Sequence, residues 1–194
     1  MKSLPYQISS STYTEPLGVD YLVGDSFLKA GGAAGTPNYV RVQSLMRQAI
    51  EDLILGAGLV VVVHSFEWDL DSFPTVNQRF VVYPLIKDTL IVQYYPLGST
   101  TLTTLPTENY AIYRKGDKYV EIQFRGVLPQ LANRPDAIVI NFDAGYTDTT
   151  QISETAKQFI ELHVGYYFDN VGDFKKDYQS VKDILLEKLS IWGC

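Results

Sequence analysis

The chain has 194 residues, 46% of them hydrophobic and 20% charged, with a formal net charge of −6. That length and balance point to one folded domain, or one domain with an appended element, and exclude a disordered chain. The acidic balance argues against a protein that grips nucleic acid through its phosphates, which needs a basic face. DNA passing alongside without binding is compatible with the same charge.

The lone cysteine, Cys194, is the last residue, so no disulfide framework exists and a reducing compartment fits. No apolar run reaches the roughly 20 residues of a membrane span. The opening Met1-Lys2-Ser3-Leu4-Pro5-Tyr6 lacks the apolar core of a signal peptide. The expectation is a soluble protein made inside a cell. Its 14 Tyr and 9 Phe are many for the length, and aromatics enrich interfaces as well as cores.

In chain order, residues 1–16 are rich in Ser and Thr and read as an extended N-terminal arm. Residues 17–28 read as a short helix with Val19, Leu22, Val23 and Phe27 inward. Gly31-Gly32-Ala33-Ala34-Gly35 is a break, not a phosphate loop, because no Gly-Lys-Ser/Thr follows a strand there. Pro37 then opens an amphipathic helix over 37–55, where Val42, Leu45, Met46, Ala49, Ile50, Leu53 and Ile54 recur at three- and four-residue steps. Gly56 and Gly58 are expected to stop it.

From Leu59 to Leu70 the expected period is two. Val60, Val62, His64, Phe66, Trp68 and Leu70 fall on one face. Further strands are expected at Phe80–Tyr83, Thr89–Tyr95, Tyr110–Tyr113 and Tyr119–Phe124, the last two joined by a hairpin turn. The apolar run from Asp136 to Tyr146 is a strong strand, and Gly145 at its end can take a backbone angle other residues resist. Ser153 is a helix cap with Glu154 against the positive end of the dipole. The helix over 153–171 is apolar on more than one side, which calls for more than one neighbour. A last helix runs from about Asp173 to Ile191 with Phe174, Tyr178, Val181, Ile184, Leu185 and Leu189 as its stripe and Trp192 just beyond.

Chemistry is scarce. His64 and His163 are the two histidines, and neither has a second ligand at metal spacing, so both read as packing residues. Asp69 and Asp71 beside Trp68 read as solvated turn carboxylates. Cys194 has no neighbouring base. No nucleophile elbow, dinucleotide fingerprint or phosphate loop is present. The expectation is no catalytic residue, no cofactor and no metal: a protein that is not an enzyme.

The order of elements and several motifs resemble the head–tail connector (adaptor, or neck) proteins of tailed bacteriophages. The helix ending in Leu53-Ile54-Leu55-Gly56-Ala57-Gly58, the strand through Phe66-Glu67-Trp68-Asp69, and Ala144-Gly145-Tyr146 carry the likeness. So do Lys157-Gln158 and Gly165-Tyr166-Tyr167-Phe168-Asp169-Asn170. Val171-Gly172 departs from the Arg-Glu usual there, and Ser153 stands where a proline is common. The likeness covers roughly residues 14–172.

The resemblance implies a structural protein of the virion neck, made in the host cytoplasm, that assembles as a homo-oligomeric ring, dodecameric in relatives. The ring would lie below the portal protein, extend the DNA channel and receive a stopper or tail-completion protein, with no membrane partner. The expected fold class is α+β: an amphipathic helical bundle, of N-terminal helices plus two C-terminal helices, with a β-rich insertion at 59–143 between them. Residues 17–172 form the connector domain and 173–194 a C-terminal docking helix. Tyr166, Tyr167, Phe168, Asp169 and Asn170 are candidates for core or subunit contact. Phe174, Tyr178, Val181, Leu185, Leu189 and Trp192 are candidates for portal docking. The alternative is an aromatic-rich β module of a virion or cell surface that binds a ligand or glycan by stacking. An enzyme built on Asp69, Asp71 and His64 is the least supported reading.

Overall fold

The computed structural model describes residues 6–7, 37–114, 116, 120–168 and 175–190. The expected helix over 17–28 and the glycine break lie outside these residues, as does the arm apart from Tyr6–Gln7. The class is α+β, with helices flanking a β-rich insertion in the chain order. The chain divides into two compact units, Met1–Thr12 with Val63–Gly145, and Tyr13–Val62 with Tyr146–Cys194.

In the first unit, β1 (Tyr6–Gln7), β2 (His64–Leu70), β4 (Leu85–Tyr94), β5 (Thr103–Thr104) and β8 (Ile138–Ala144) form one antiparallel sheet. Its order is β1-β2-β8-β4-β5, so β8 is the central strand. The second sheet is β3 (Gln78–Arg79), β7 (Val120–Phe124) and β6 (Tyr110–Arg114).

The aromatic core follows from the register. Phe66 on β2 faces Phe142 on β8, and their rings stack at 5.6 Å. Phe80 meets Phe142 edge-on at 4.9 Å and Trp68 at 5.5 Å, the preferred geometry for ring quadrupoles.

Two strand expectations need correction. The strand predicted from Leu59 begins at His64. Leu59, Val60, Val61 and Val62 are all buried, whereas alternation holds from His64, with His64, Phe66 and Trp68 inward. The reason is visible in the residues: both nominal faces of 59–63 are valine or leucine, so that run carries no period of two. The strands predicted at Phe80–Tyr83 and Thr89–Tyr95 are instead a short β3 ending at Arg79 and a single long β4 from Leu85. Within the gap expected between Tyr83 and Thr89 there is strand, with a register shift inside β4 between Ile86 and Ile91. Thr89 holds it: its hydroxyl donates to the Ile86 carbonyl at 2.7 Å and accepts the Asp143 N–H at 2.8 Å. A bulge of this kind leaves ladder groups for a side chain to satisfy. Gly145 closes β8 at φ 132°, a conformation that favours glycine, and its N–H donates to the Pro84 carbonyl at 2.8 Å.

The second unit holds α1 (Pro37–Ala57), α2 (Glu154–Phe168) and α3 (Lys175–Leu189). α1 buries Val42, Met46, Ala49, Ile50 and Leu53, the stripe its spacing predicts. Gly58 ends α1 at φ 69°, with its N–H on the Ile54 carbonyl at 3.0 Å. Gly56 does not stop the helix. It lies within α1, and a Cβ there would meet the Leu186 methyls of α3 at 3.2 Å, so its role is close approach. Ser153 caps α2, its Oγ accepting the Ala156 N–H at 3.3 Å. α2 buries Ala156, Phe159, Ile160, His163 and Val164.

Candidate functional site

The residues singled out in the sequence converge on the C-terminal end of α2. Tyr166 and Phe168 are half-buried and Tyr167 is 38% exposed. Asp169 and Asn170 lie outside the described residues, as do Phe174 and Trp192.

Tyr166 stacks on Tyr178 of α3 with centroids 4.0 Å apart and planes 6° from parallel. Tyr167 meets both tyrosines edge-on, at 4.9 Å from Tyr166 and 5.8 Å from Tyr178. The Arg41 guanidinium lies 5.4 Å from the Phe168 ring and donates to the Tyr167 carbonyl at 3.1 Å. That carbonyl is in the last turn of α2, where the helix has no N–H of its own to donate to it. The aromatic run therefore binds α2 to α3 and to the first turns of α1 within one subunit.

The candidate stripe of α3 divides. Tyr178 and Leu189 are buried against their own unit, and Leu185 is half-buried. Val181 and Ile184 point outward, 43% and 49% exposed. The sequence pattern grouped all of them because three- and four-residue steps around a helix drift across its whole apolar arc. On α1, Leu55 is 84% exposed, more than any other large apolar side chain of the three helices among the described residues.

Sequence reasoning missed a polar cluster beneath these rings. Asp52 of α1 takes an ion pair from Lys182 of α3 at 2.6 Å. His163 of α2, 1% exposed, places Nδ1 3.0 Å from the Tyr178 hydroxyl and 3.6 Å from the same Asp52 oxygen. Burial lowers the His163 pKa, Asp52 opposes the shift, and Lys182 adds to it. Burial pushes the Tyr178 phenol well above its usual range, with Tyr167, Asp52 and Tyr166 adding to the rise. Tyr178 and Lys182 sit four residues apart on one helix face, the only sequence-level sign that they act together.

The other chemical candidates are dispersed in the first unit. His64 is buried beside Phe66. Asp69 is half-buried, and its carboxyl is raised by burial and by Glu67 and Asp136, with Arg134 opposing. Asp71 is exposed and is not among those charged neighbours. Arg134 pairs with Asp136 through Nε and Nη2 and lies 3.7 Å from the Tyr95 ring. Among the described residues no group of three or more His, Cys, Asp or Glu is placed to hold a metal. Among the same residues, no helix is long and apolar enough to cross a membrane.

No protein-family model and no curated protein sequence matches the chain. Solved structures do. The neck of an empty gene transfer agent particle, refined with sixfold symmetry, contains a chain that superposes with a TM-score of 0.70 at 14% identity. The match covers 97% of this chain and 95% of that one. A chain in the virion of the native particle matches with the same score, identity and coverage. One in the native neck, with twelvefold symmetry, matches at TM-score 0.67 and 14% identity over 97% of this chain and 95% of that chain. The chain therefore has the fold of neck chains from a phage-like particle.

Proposed function

We propose that this chain is a structural protein of the neck of a tailed phage or phage-like particle. In this reading it is an adaptor that assembles as a ring of like subunits below the portal. The ring extends the DNA channel and joins the capsid to a stopper or tail-completion protein. The observation that carries the reading is the fold likeness to neck chains across nearly the whole of both chains. The sixfold and twelvefold symmetry of those necks supports a ring. A ring gives each subunit two neighbours through one heterologous contact that closes on itself. The formal net charge of −6 suits a wall past which DNA moves without being held.

The outward side of α3, centred on Val181 and Ile184, is the portal-docking surface in this reading. Leu189 is not a suitable probe of it, because a charge there would be buried in the helical unit. The double substitution Val181→Asp with Ile184→Asp is the test. Exposed positions of this kind change stability by about 0.5 kcal/mol or less each, so the melting temperature should stay within a few degrees. Association with the portal ring of the same particle should be lost. Undiminished association would remove α3 from the docking surface.

A further inference from the structure

We propose that α3 is a latched helix, held to α1 and α2 through the Asp52–Lys182–His163–Tyr178 cluster and released when His163 takes up a proton. The inference does not depend on the neck reading.

Three elements meet at this cluster. α1 supplies Asp52, α2 supplies His163 with Tyr167 beside it at 4.7 Å, and α3 supplies Tyr178 and Lys182. Among the described residues, these are the titratable groups that face the imidazole. The neutral ring satisfies one nitrogen through the Tyr178 hydroxyl, while Nε2 is buried and has no hydrogen-bond partner among the described residues. The added proton leaves both ring nitrogens as donors on a cation, so Nε2–H is a buried cationic donor with no hydrogen-bond partner among the described residues. At Nδ1 the imidazolium must share with the Lys182 ammonium the one Asp52 oxygen that Lys182 already holds at 2.6 Å. One carboxylate then faces two cations, and although Asp52 itself is partly open to water, the charged imidazole is buried, which makes the arrangement costly.

The cost falls on α3. Lys182, the cation that competes with the imidazolium, belongs to that helix, as does Tyr178, the hydrogen-bond partner of the ring. Its apolar hold is thin: Val181 and Ile184 face outward, and Tyr178 itself is one of the buried anchors. α1 and α2, by contrast, share a continuous core of Val42, Met46, Ala49, Ile50 and Leu53 with Phe159, Ile160 and Val164.

The direction of the pH effect follows from linkage. Attached α3 depresses the His163 pKa below its ordinary 6.5, chiefly by burial. Detachment returns the ring to water and restores that value, so the detached form binds the proton more tightly. Attachment is fully stable above the ordinary value and is lost as pH falls through the depressed one. Below both values the attachment constant has dropped about tenfold for each pKa unit of depression.

Amide hydrogen exchange of the full chain, corrected for intrinsic rates, tests this between about pH 7.5 and pH 5. The expected result is a fall in protection over Lys175–Leu189 on acidification, with α1 and α2 still protected. In His163→Gln, which cannot titrate, α3 protection should be flat over that range. A direct imidazole titration of the wild-type chain by NMR needs no variant, and its His163 midpoint should coincide with the loss of α3 protection. Three results would overturn the latch. One is an unchanged pH dependence in His163→Gln. Another is α3 protection that stays flat while His163 titrates. The third is α1 and α2 losing protection together with α3.

Discussion

Replacing Phe142 by alanine should destabilise the β-rich unit by about 3–5 kcal/mol, the range for deleting a large buried aromatic. Phe142 is 2% exposed, sits on the central strand β8, and touches Phe66 on β2 and Phe80 in the segment after β3. Its removal opens a cavity between the Phe66 and Phe80 rings, both in a close-packed core, so collapse can fill little of it. Two aromatic pairs are lost besides, each worth about 0.5–1.5 kcal/mol beyond its area. The measurement is urea unfolding followed by near-ultraviolet dichroism. A midpoint within the error of the wild type would show that Phe142 is not the centre of that core.

Replacing Tyr178 by alanine should cost the helical unit about 3–5 kcal/mol on the same scale, and its effect should concentrate on α3. The ring stacks on Tyr166 at 4.0 Å and the hydroxyl is the partner of buried His163. Tyr178→Phe separates the two contributions. It keeps the stack, removes the hydroxyl, and should cost about 1–3 kcal/mol, the range for stranding a buried polar group. Equal losses in the two variants would assign the whole effect to the hydrogen bond. No loss in Tyr178→Phe would mean that His163 does not need this partner.

What was legible in the sequence was local. The stripe of α1 recurs at three- and four-residue steps, and Val42, Met46, Ala49, Ile50 and Leu53 are buried with Leu45 and Ile54 half-buried at its edge. The end of β8 at Gly145 and the cap at Ser153 are single-residue signals with one geometric meaning each, and both are realised. What was not legible depends on partners distant in the chain. The run 59–63 has the same apolar letters on both faces, so nothing in it says where pairing starts. The sequence places separate strands at 80–83 and 89–95, yet one strand runs from Leu85 and Thr89 absorbs its irregularity.

The candidate site shows the same limit. Tyr166 and Tyr167 are recognisable as a group, but Tyr178, on which Tyr166 stacks, falls in the sequence pattern with the docking stripe. Helical periodicity gives the width of an apolar arc and not which part a neighbour covers. The ion pair of Asp52 with Lys182 spans α1 and α3, and no local rule joins residues so far apart.

The most direct test of the neck reading is mass photometry of the purified protein, alone and then mixed with the portal ring from the same genome. A monomer in the first measurement is compatible with subunits that gather on a template. The reading predicts that the mixture contains a species of one portal ring carrying about as many copies of this chain as the ring has subunits. Absence of any such complex from low to high salt would contradict it, and would leave a neck-protein fold put to another use.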